Sequence, residues 1–142
     1  MQIGFLIGRI IYGVYLLYSG IHGLALNTAM AGFAASKGVP AAGLAVFAAH
    51  LLLILAGFCF LSGWKPQIGV IAIAVFLVPV TLAMHDFWNA PKDQQMSQMI
   101  NFTKNFALLG ASLMFLAIPR PWAYGIEGIR HTRRLPPGAL PA

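Results

Sequence analysis

The sequence has little charge and almost no cysteine, and both shortages exclude whole classes of protein. Of its 142 residues, 3 are Asp or Glu and 9 are Lys or Arg, so that 8% of the chain is charged. A water-soluble domain carries roughly a quarter charged residues, and this chain cannot cover a hydrated surface in that way. The single cysteine, Cys59, excludes an internal disulfide and a CxxC redox pair. A soluble globular fold and a thiol-based mechanism are therefore ruled out.

Hydrophobic residues make up 59% of the chain and fall into four runs, at about 3–24, 42–62, 67–88 and 100–118. Each run is close to the roughly 20 residues that span a hydrocarbon core of about 30 Å. The sequence predicts an all-α integral membrane four-helix bundle over residues 1–118, followed by a basic tail at 119–142. The first run has no basic segment before it and no small-residue cleavage site after it, so we interpret it as a retained helix.

The basic residues outside the runs predict the orientation of the bundle. With four spans, both termini share one side with the second loop, and that side carries five of these residues, namely Lys65, Arg120, Arg130, Arg133 and Arg134. The other side carries two, Lys37 and Lys92. By the positive-inside rule the termini and the tail are expected to be cytoplasmic. The tryptophans Trp64, Trp88 and Trp122 lie at predicted helix ends, as in an aromatic belt. The net charge of +6 is thus assigned to loops and tail, and no nucleic-acid partner is expected.

Polar side chains inside the runs are the candidate functional residues, because such groups are costly in hydrocarbon and call for a partner or a ligand. Threading the helices up and down places seven of them in the external half of the bundle: His22, His50, His85, Asp86, Trp88, Lys104 and Asn105. We predict that they form an outward-facing ligand pocket, with no metal site and no assigned catalytic residue. Asp86 and Lys104 are expected to form an ion pair. The alternative is that the polar cluster only joins helices.

Two stretches go beyond generic membrane patterning. His85-Asp86-Phe87-Trp88 ends the third run, and Asn101-Phe102-Thr103-Lys104-Asn105-Phe106 begins the fourth. With Arg9, Ser19-Gly20, Lys37-Gly38-Val39-Pro40 and the glycines Gly57 and Gly63, they make the sequence similar to the DoxX family over about residues 5–115. The resemblance implies a small four-helix membrane subunit of a redox complex, such as the subunit of thiosulfate:quinone oxidoreductase that belongs to the family.

The chain departs from the family pattern at two positions. Members commonly carry Lys four residues after the first-helix serine and Glu ten residues before the glycine that closes the second helix. Gly23 and Leu53 stand there in this sequence. Losing both charges together leaves neither unpaired in the membrane. His22 and His50 lie next to, or one turn from, the vacated positions, and we consider them a substitute polar pair.

Four functional hypotheses follow for the polar cluster. The first is a quinone-interacting subunit of a membrane oxidoreductase, which would exchange electrons through partner subunits because the chain has no flavin or nicotinamide fingerprint. The second is a non-catalytic structural or assembly subunit that anchors a membrane complex. A quinone is the cofactor that the first hypothesis predicts, and no haem is expected; ligation of b-type haem by His50 and His85 is the third, alternative hypothesis, and a small transporter is a fourth. In each case the bilayer is one partner, and a bacterial cytoplasmic (inner) membrane is the expected location.

Overall fold

The computed structural model describes residues 2–132, and all regular elements in this range are helical. The helices are α1 (Gln2–Ala25), α2 (Asn27–Ser36), α3 (Ala42–Ser62), α4 (Pro66–Met84), α5 (Lys92–Met114) and α6 (Ile126–Thr132), with 3-10 turns at Phe87–Asn89 and Phe115–Ala117. Helices α1, α3, α4 and α5, the last two with their 3-10 turns, are long and apolar enough to cross a membrane. The predicted all-α, four-span architecture is confirmed.

The four long helices pack in the order α1, α3, α4, α5, and α2 packs mainly on α3. We call the end that carries Gln2 and the chain after α5 the terminal end, and the opposite end, with α2 and Phe87–Asn89, the distal end. At the terminal end Gly63 closes α3 with a φ of 65°, a left-handed conformation that glycine adopts without strain. Pro66 then occupies the first turn of α4, where its missing N–H is not needed.

Helices α1 and α3 approach closely because glycines line their contact. A Cβ on Gly13 would lie 3.2 Å from the carbonyl oxygen of Gly57, and a Cβ on Gly57 would lie 2.9 Å from that of Gly13. Small residues at such crossings allow backbones to approach in a membrane, where van der Waals packing replaces the hydrophobic effect between helices. The pairing of α1 with α3 thereby fixes the wall on which the candidate site is built.

The chain after α5 closes the terminal end of the bundle. Trp122 is buried and packs against the rings of Phe5, Phe60 and Phe115 at centroid distances of 4.9, 6.4 and 5.6 Å. Arg9 is also buried, lies beside the Trp122 ring and donates a hydrogen bond to the Tyr124 carbonyl at 3.2 Å. The interpretation of Trp122 as part of an aromatic belt is therefore wrong, because this tryptophan is part of the core. The part of the predicted tail beyond residue 132 lies outside the described residues.

Three helix boundaries differ from the apolar runs. The loop expected between the first two spans contains the ten-residue helix α2, which at about 15 Å is too short to cross a membrane. Helix α5 begins at Lys92 rather than near residue 100, because Pro91 before it and Asp93 in its first turn favour a helix start although the segment is polar. Helix α4 ends at Met84, before His85.

Candidate functional site

A cavity of about 290 Å³ lies between α1, α2, α3, α4 and α5 in the distal half of the bundle. The polar residues in its lining are Tyr15, Tyr18, Ser19, His22, His50, His85 and Asn105. The apolar ones are Leu16, Met30, Leu53, Phe76, Leu77, Val80 and Leu108, and Gly23 completes the lining. Among residues 2–132, no Asp, Glu, Lys or Arg side chain contributes to it. We call it the histidine cavity.

His50 is positioned by its own helix and by a glycine of α1. The imidazole Nδ1 donates a hydrogen bond to the Val46 carbonyl one turn earlier, at 2.7 Å. The ring lies directly against Gly23: a Cβ built on that glycine would be 1.9 Å from both Cδ2 and Nε2 of His50. A side chain larger than hydrogen at position 23 cannot coexist with this ring position. The two departures from the family pattern thus sit in one place, where Leu53 is buried and His50 fills the space over Gly23.

His85 lies where α4 ends, and α5 holds it. Its Nδ1 donates a hydrogen bond to Oε1 of Gln98 at 2.8 Å. Because Nδ1 is the donor in this bond, Nε2 of the neutral ring is the nitrogen that can accept a proton. Asn105, two turns after Gln98 on α5, is buried and lines the same cavity. His85, directly after α4, and Asn105, near the middle of α5, together contribute the polar groups on this side of the cavity.

His22 stands at the rim of the cavity on α1. Its ring is exposed and stacks on Tyr18 with a centroid distance of 5.5 Å and an angle of 6° between the ring planes. His50 bonds to Val46, so that the structure within residues 2–132 contains no hydrogen bond between these two histidines. They share the cavity but do not form the predicted polar pair.

Three predicted site residues lie outside the histidine cavity. The predicted ion pair between Asp86 and Lys104 is wrong: Asp86 pairs with Lys37 at the start of the α2–α3 connection, and Lys104 donates to Asn101 on its own helix at 2.9 Å. The pairing of Asp86 with Lys104 was predicted only from their similar depth in the membrane. Depth does not indicate which loop folds over the end of α4.

Trp88 does not share a face with His85, because α4 has already ended and the 3-10 turn redirects the chain. Its ring is half exposed and packs edge-on against Phe87 and Phe102, at centroid distances of 5.1 and 5.7 Å. Trp88, which was predicted to line the pocket, instead helps Phe87 to tie the α4–α5 connection to Phe102 of α5.

Sequence reasoning missed two residues that organise this region. Gln98 holds His85, and Lys37 holds Asp86. Gln98 could have been found, because it continues the polar face of Asn101 and Asn105 at helical spacing by one turn. Lys37 carried no such signal, since a contact 49 residues along the chain depends on the path of a loop.

The arrangement of ionisable groups bears on the kind of ligand the site can hold. Among residues 2–132, no three His, Cys, Asp or Glu side chains are grouped closely enough to hold a metal ion. The histidine cavity offers imidazole and amide groups on apolar walls, an environment suited to a small neutral molecule with hydrogen-bonding oxygen atoms.

The helices define a small multi-pass membrane protein with a histidine-lined cavity within its helix bundle. Comparison with known families makes the assignment more specific: the DoxX family model matches residues 4–86, more than half of the chain, and the protein belongs to that family. The stretch that begins at Asn101 lies outside the matched segment. No curated protein and no solved structure gave a significant match.

Proposed function

We propose that this DoxX-family protein binds a quinone in the histidine cavity and serves as the quinone-interacting membrane subunit of an oxidoreductase. The observation that carries the proposal is the convergence of His50, His85 and Asn105 on an apolar cavity without charged lining. Its volume of about 290 Å³ is near the lower end of the roughly 300–1,000 Å³ range of small-molecule sites. A neutral ring with two oxygen atoms suits such a lining.

His85 and Asn105 have the central roles in this proposal. The amide of Asn105 can donate a hydrogen bond to a ring oxygen, and Phe76 and Leu77 supply apolar walls. With Nδ1 engaged by Gln98, the Nε2 atom of His85 can exchange a proton with the second oxygen. The quinone supplies the redox chemistry, and a partner subunit exchanges electrons with it. Assembly with such a subunit in a bacterial inner membrane is part of the proposal.

The proposal includes the orientation of the bundle. Cytoplasmic termini, as the charge distribution predicts, would place the distal end and the histidine cavity near the external surface. In a Cys59→Ala background, a cysteine at Asp93 should react with a membrane-impermeant thiol reagent added to intact cells. A cysteine at the exposed Arg130, on α6, should react only after the membrane is opened. The reverse pattern would overturn the orientation.

The test of quinone binding is His85→Ala, with His131→Ala as the control. His131 is exposed on α6 at the terminal end, far in the fold from the cavity. We expect His85→Ala to lower the quinone retained by protein purified from native membranes by about tenfold, or 1.4 kcal/mol, while His131→Ala retains it. An optical spectrum of the same preparations tests haem ligation by His50 and His85.

The second candidate is a structural or assembly subunit. It is favoured by two hydrogen bonds that engage the rings without a ligand: His85 bonds to Gln98 and so links the end of α4 to α5, and His50 bonds to Val46 within α3. A His85→Ala protein that assembles normally and keeps full quinone retention would overturn the quinone proposal and leave this candidate. If His85→Ala prevents assembly but leaves the quinone content per folded protein unchanged, the quinone proposal is likewise overturned and the structural subunit remains.

A further inference from the structure

A second cavity opens where the first and last spans meet. Helix α1 packs on α3 and α5 packs on α4, whereas α1 and α5 touch each other little. Between them lies a space of about 410 Å³ lined by Gly8, Ile11, Tyr12, Tyr15, Lys104 and Leu108. We call this space the seam groove. Its exposed lining is almost wholly apolar, and two of the lining residues join α1 to α5 through a hydrogen bond from the Tyr12 hydroxyl to the Leu108 carbonyl, at 2.8 Å.

The seam groove and the histidine cavity are neighbours along the same helices. Tyr15 and Leu108 line both. From Tyr15 the groove continues along α1 to Gly8, about 10 Å at 1.5 Å per residue, in the direction of the terminal end. The histidine cavity, which has hydrogen-bonding groups, is therefore joined to the apolar seam groove, which runs away from the distal end.

We propose that the seam groove holds the isoprenoid chain of the quinone whose ring occupies the histidine cavity, and that this ligand enters sideways from the bilayer between α1 and α5. This inference rests on the proposed function, which concerns the ring alone. A polar compartment joined to an apolar groove matches a molecule with a polar ring and a long apolar chain. The open contact between α1 and α5 supplies a path on the lipid-facing side of the bundle.

Lys104 argues against a helix of another protein as the occupant. It is exposed at the edge of the groove, and its Nζ bonds to Asn101 rather than to an acid. An apolar helix packed over the groove would enclose that ammonium group without a counter-charge, which is costly in hydrocarbon. A flexible chain can lie along Gly8, Ile11 and Tyr15 while the lysine side chain extends past it toward the interface.

Gly8 allows the groove to be filled without disturbing the fold. A Cβ at Gly8 would have no atom of residues 2–132 within 4 Å, and the same is true of Gly4, one turn earlier on the same face of α1. Gly8 lines the groove and Gly4 does not. Gly8→Phe therefore places a ring in the groove, and Gly4→Phe is a matched control that adds the same ring to the lipid-facing surface.

The experiment measures binding of two quinones to purified protein in lipid nanodiscs. One is a ubiquinone with its isoprenoid chain, and the other has the same ring with a methyl group in place of the chain. We expect Gly8→Phe to weaken binding of the long-chain quinone by about tenfold, equivalent to 1.4 kcal/mol, and to leave the chainless one unchanged. Gly4→Phe should alter neither, and His85→Ala should weaken both.

The other outcomes separate the groove from the cavity. If the wild-type protein binds both quinones equally well, or if Gly8→Phe affects them equally, the groove does not hold the chain, while sensitivity to His85→Ala would still support the ring site. If Gly8→Phe changes only the oligomeric state, the groove contacts another helix and the proposal is wrong. If neither quinone binds the wild-type protein, the proposed function and the groove proposal both fail.

Discussion

The two ends of the bundle use similar residues in opposite ways. At the terminal end, Arg9 and Trp122 are buried together under the chain that follows α5. At the distal end, Trp88 is half exposed, and the side chains of Lys37 and Asp86, which form an ion pair, are both partly exposed. The terminal end is packed shut around its aromatic rings, whereas the distal half encloses a cavity.

The two ends differ in the contacts that hold their helices together. Closing the terminal end with Phe5, Phe60, Phe115 and Trp122 joins α1, α3, α5 and the following chain in one cluster. The distal half is held by an aromatic cluster of Phe87, Trp88 and Phe102 at its outer end and by hydrogen bonds between elements, such as His85 to Gln98. The histidine cavity lies in this half of the bundle. Comparing substitutions at the two ends tests this division.

The largest effect is expected from the two tryptophans. Trp122→Ala removes a fully buried ring from the terminal cluster and should lower the free energy of unfolding by about 3–5 kcal/mol, as core Trp→Ala changes do. Trp88→Ala should cost less than half as much, because that ring is half exposed. Unfolding in detergent followed by circular dichroism provides the comparison. Equal losses would show that the distal aromatic contacts are as important as the terminal core.

Much of the fold could be predicted from the sequence because a helix that spans a membrane needs an apolar run of about 20 residues. Apolar runs of the right length predicted the four long helices, with α3 at its expected bounds. The depth of each histidine along its helix placed His22, His50 and His85 in the same half of the bundle, and all three line one cavity. Ligand binding by that cavity stays a prediction.

The contacts made by the connecting segments could not be predicted from the sequence. The burial of Trp122 depends on how the chain turns after Pro121, and the pairing of Asp86 depends on the loop that follows α2. Hydropathy and helical period describe what each segment buries on its own. They do not specify which connection folds over which helix end. The same limit explains why Trp88 was predicted to line the pocket with His85, since no hydropathy signal marked the end of α4 at Met84.

A change of intermediate size is expected at Gly23. Gly23→Ala places a methyl group in the space of the His50 ring and should cost about 1–3 kcal/mol of stability, the usual range for overpacking. Gly8→Ala, where nothing lies within 4 Å of the new Cβ, is the neutral control. Adding His50→Ala to Gly23→Ala should restore part of the loss. If the double variant is no more stable than Gly23→Ala alone, the ring of His50 does not occupy that space.

The smallest effect is expected for the charged pair at the distal end. The side chains of Lys37 and Asp86 keep 24% and 19% of their surface exposed, so that water and salt screen their attraction. A double-mutant cycle with Lys37→Met and Asp86→Asn should give a coupling energy of roughly 0.2–1 kcal/mol that decreases as salt is added. The same cycle between Asp86 and Lys104 should give none, because Lys104 bonds to Asn101. If coupling were found only between Asp86 and Lys104, the counter-charge of Asp86 would lie on α5 rather than on the loop after α2. The end of α4 would then be tied to α5 by an ion pair, and the loop after α2 would not hold it.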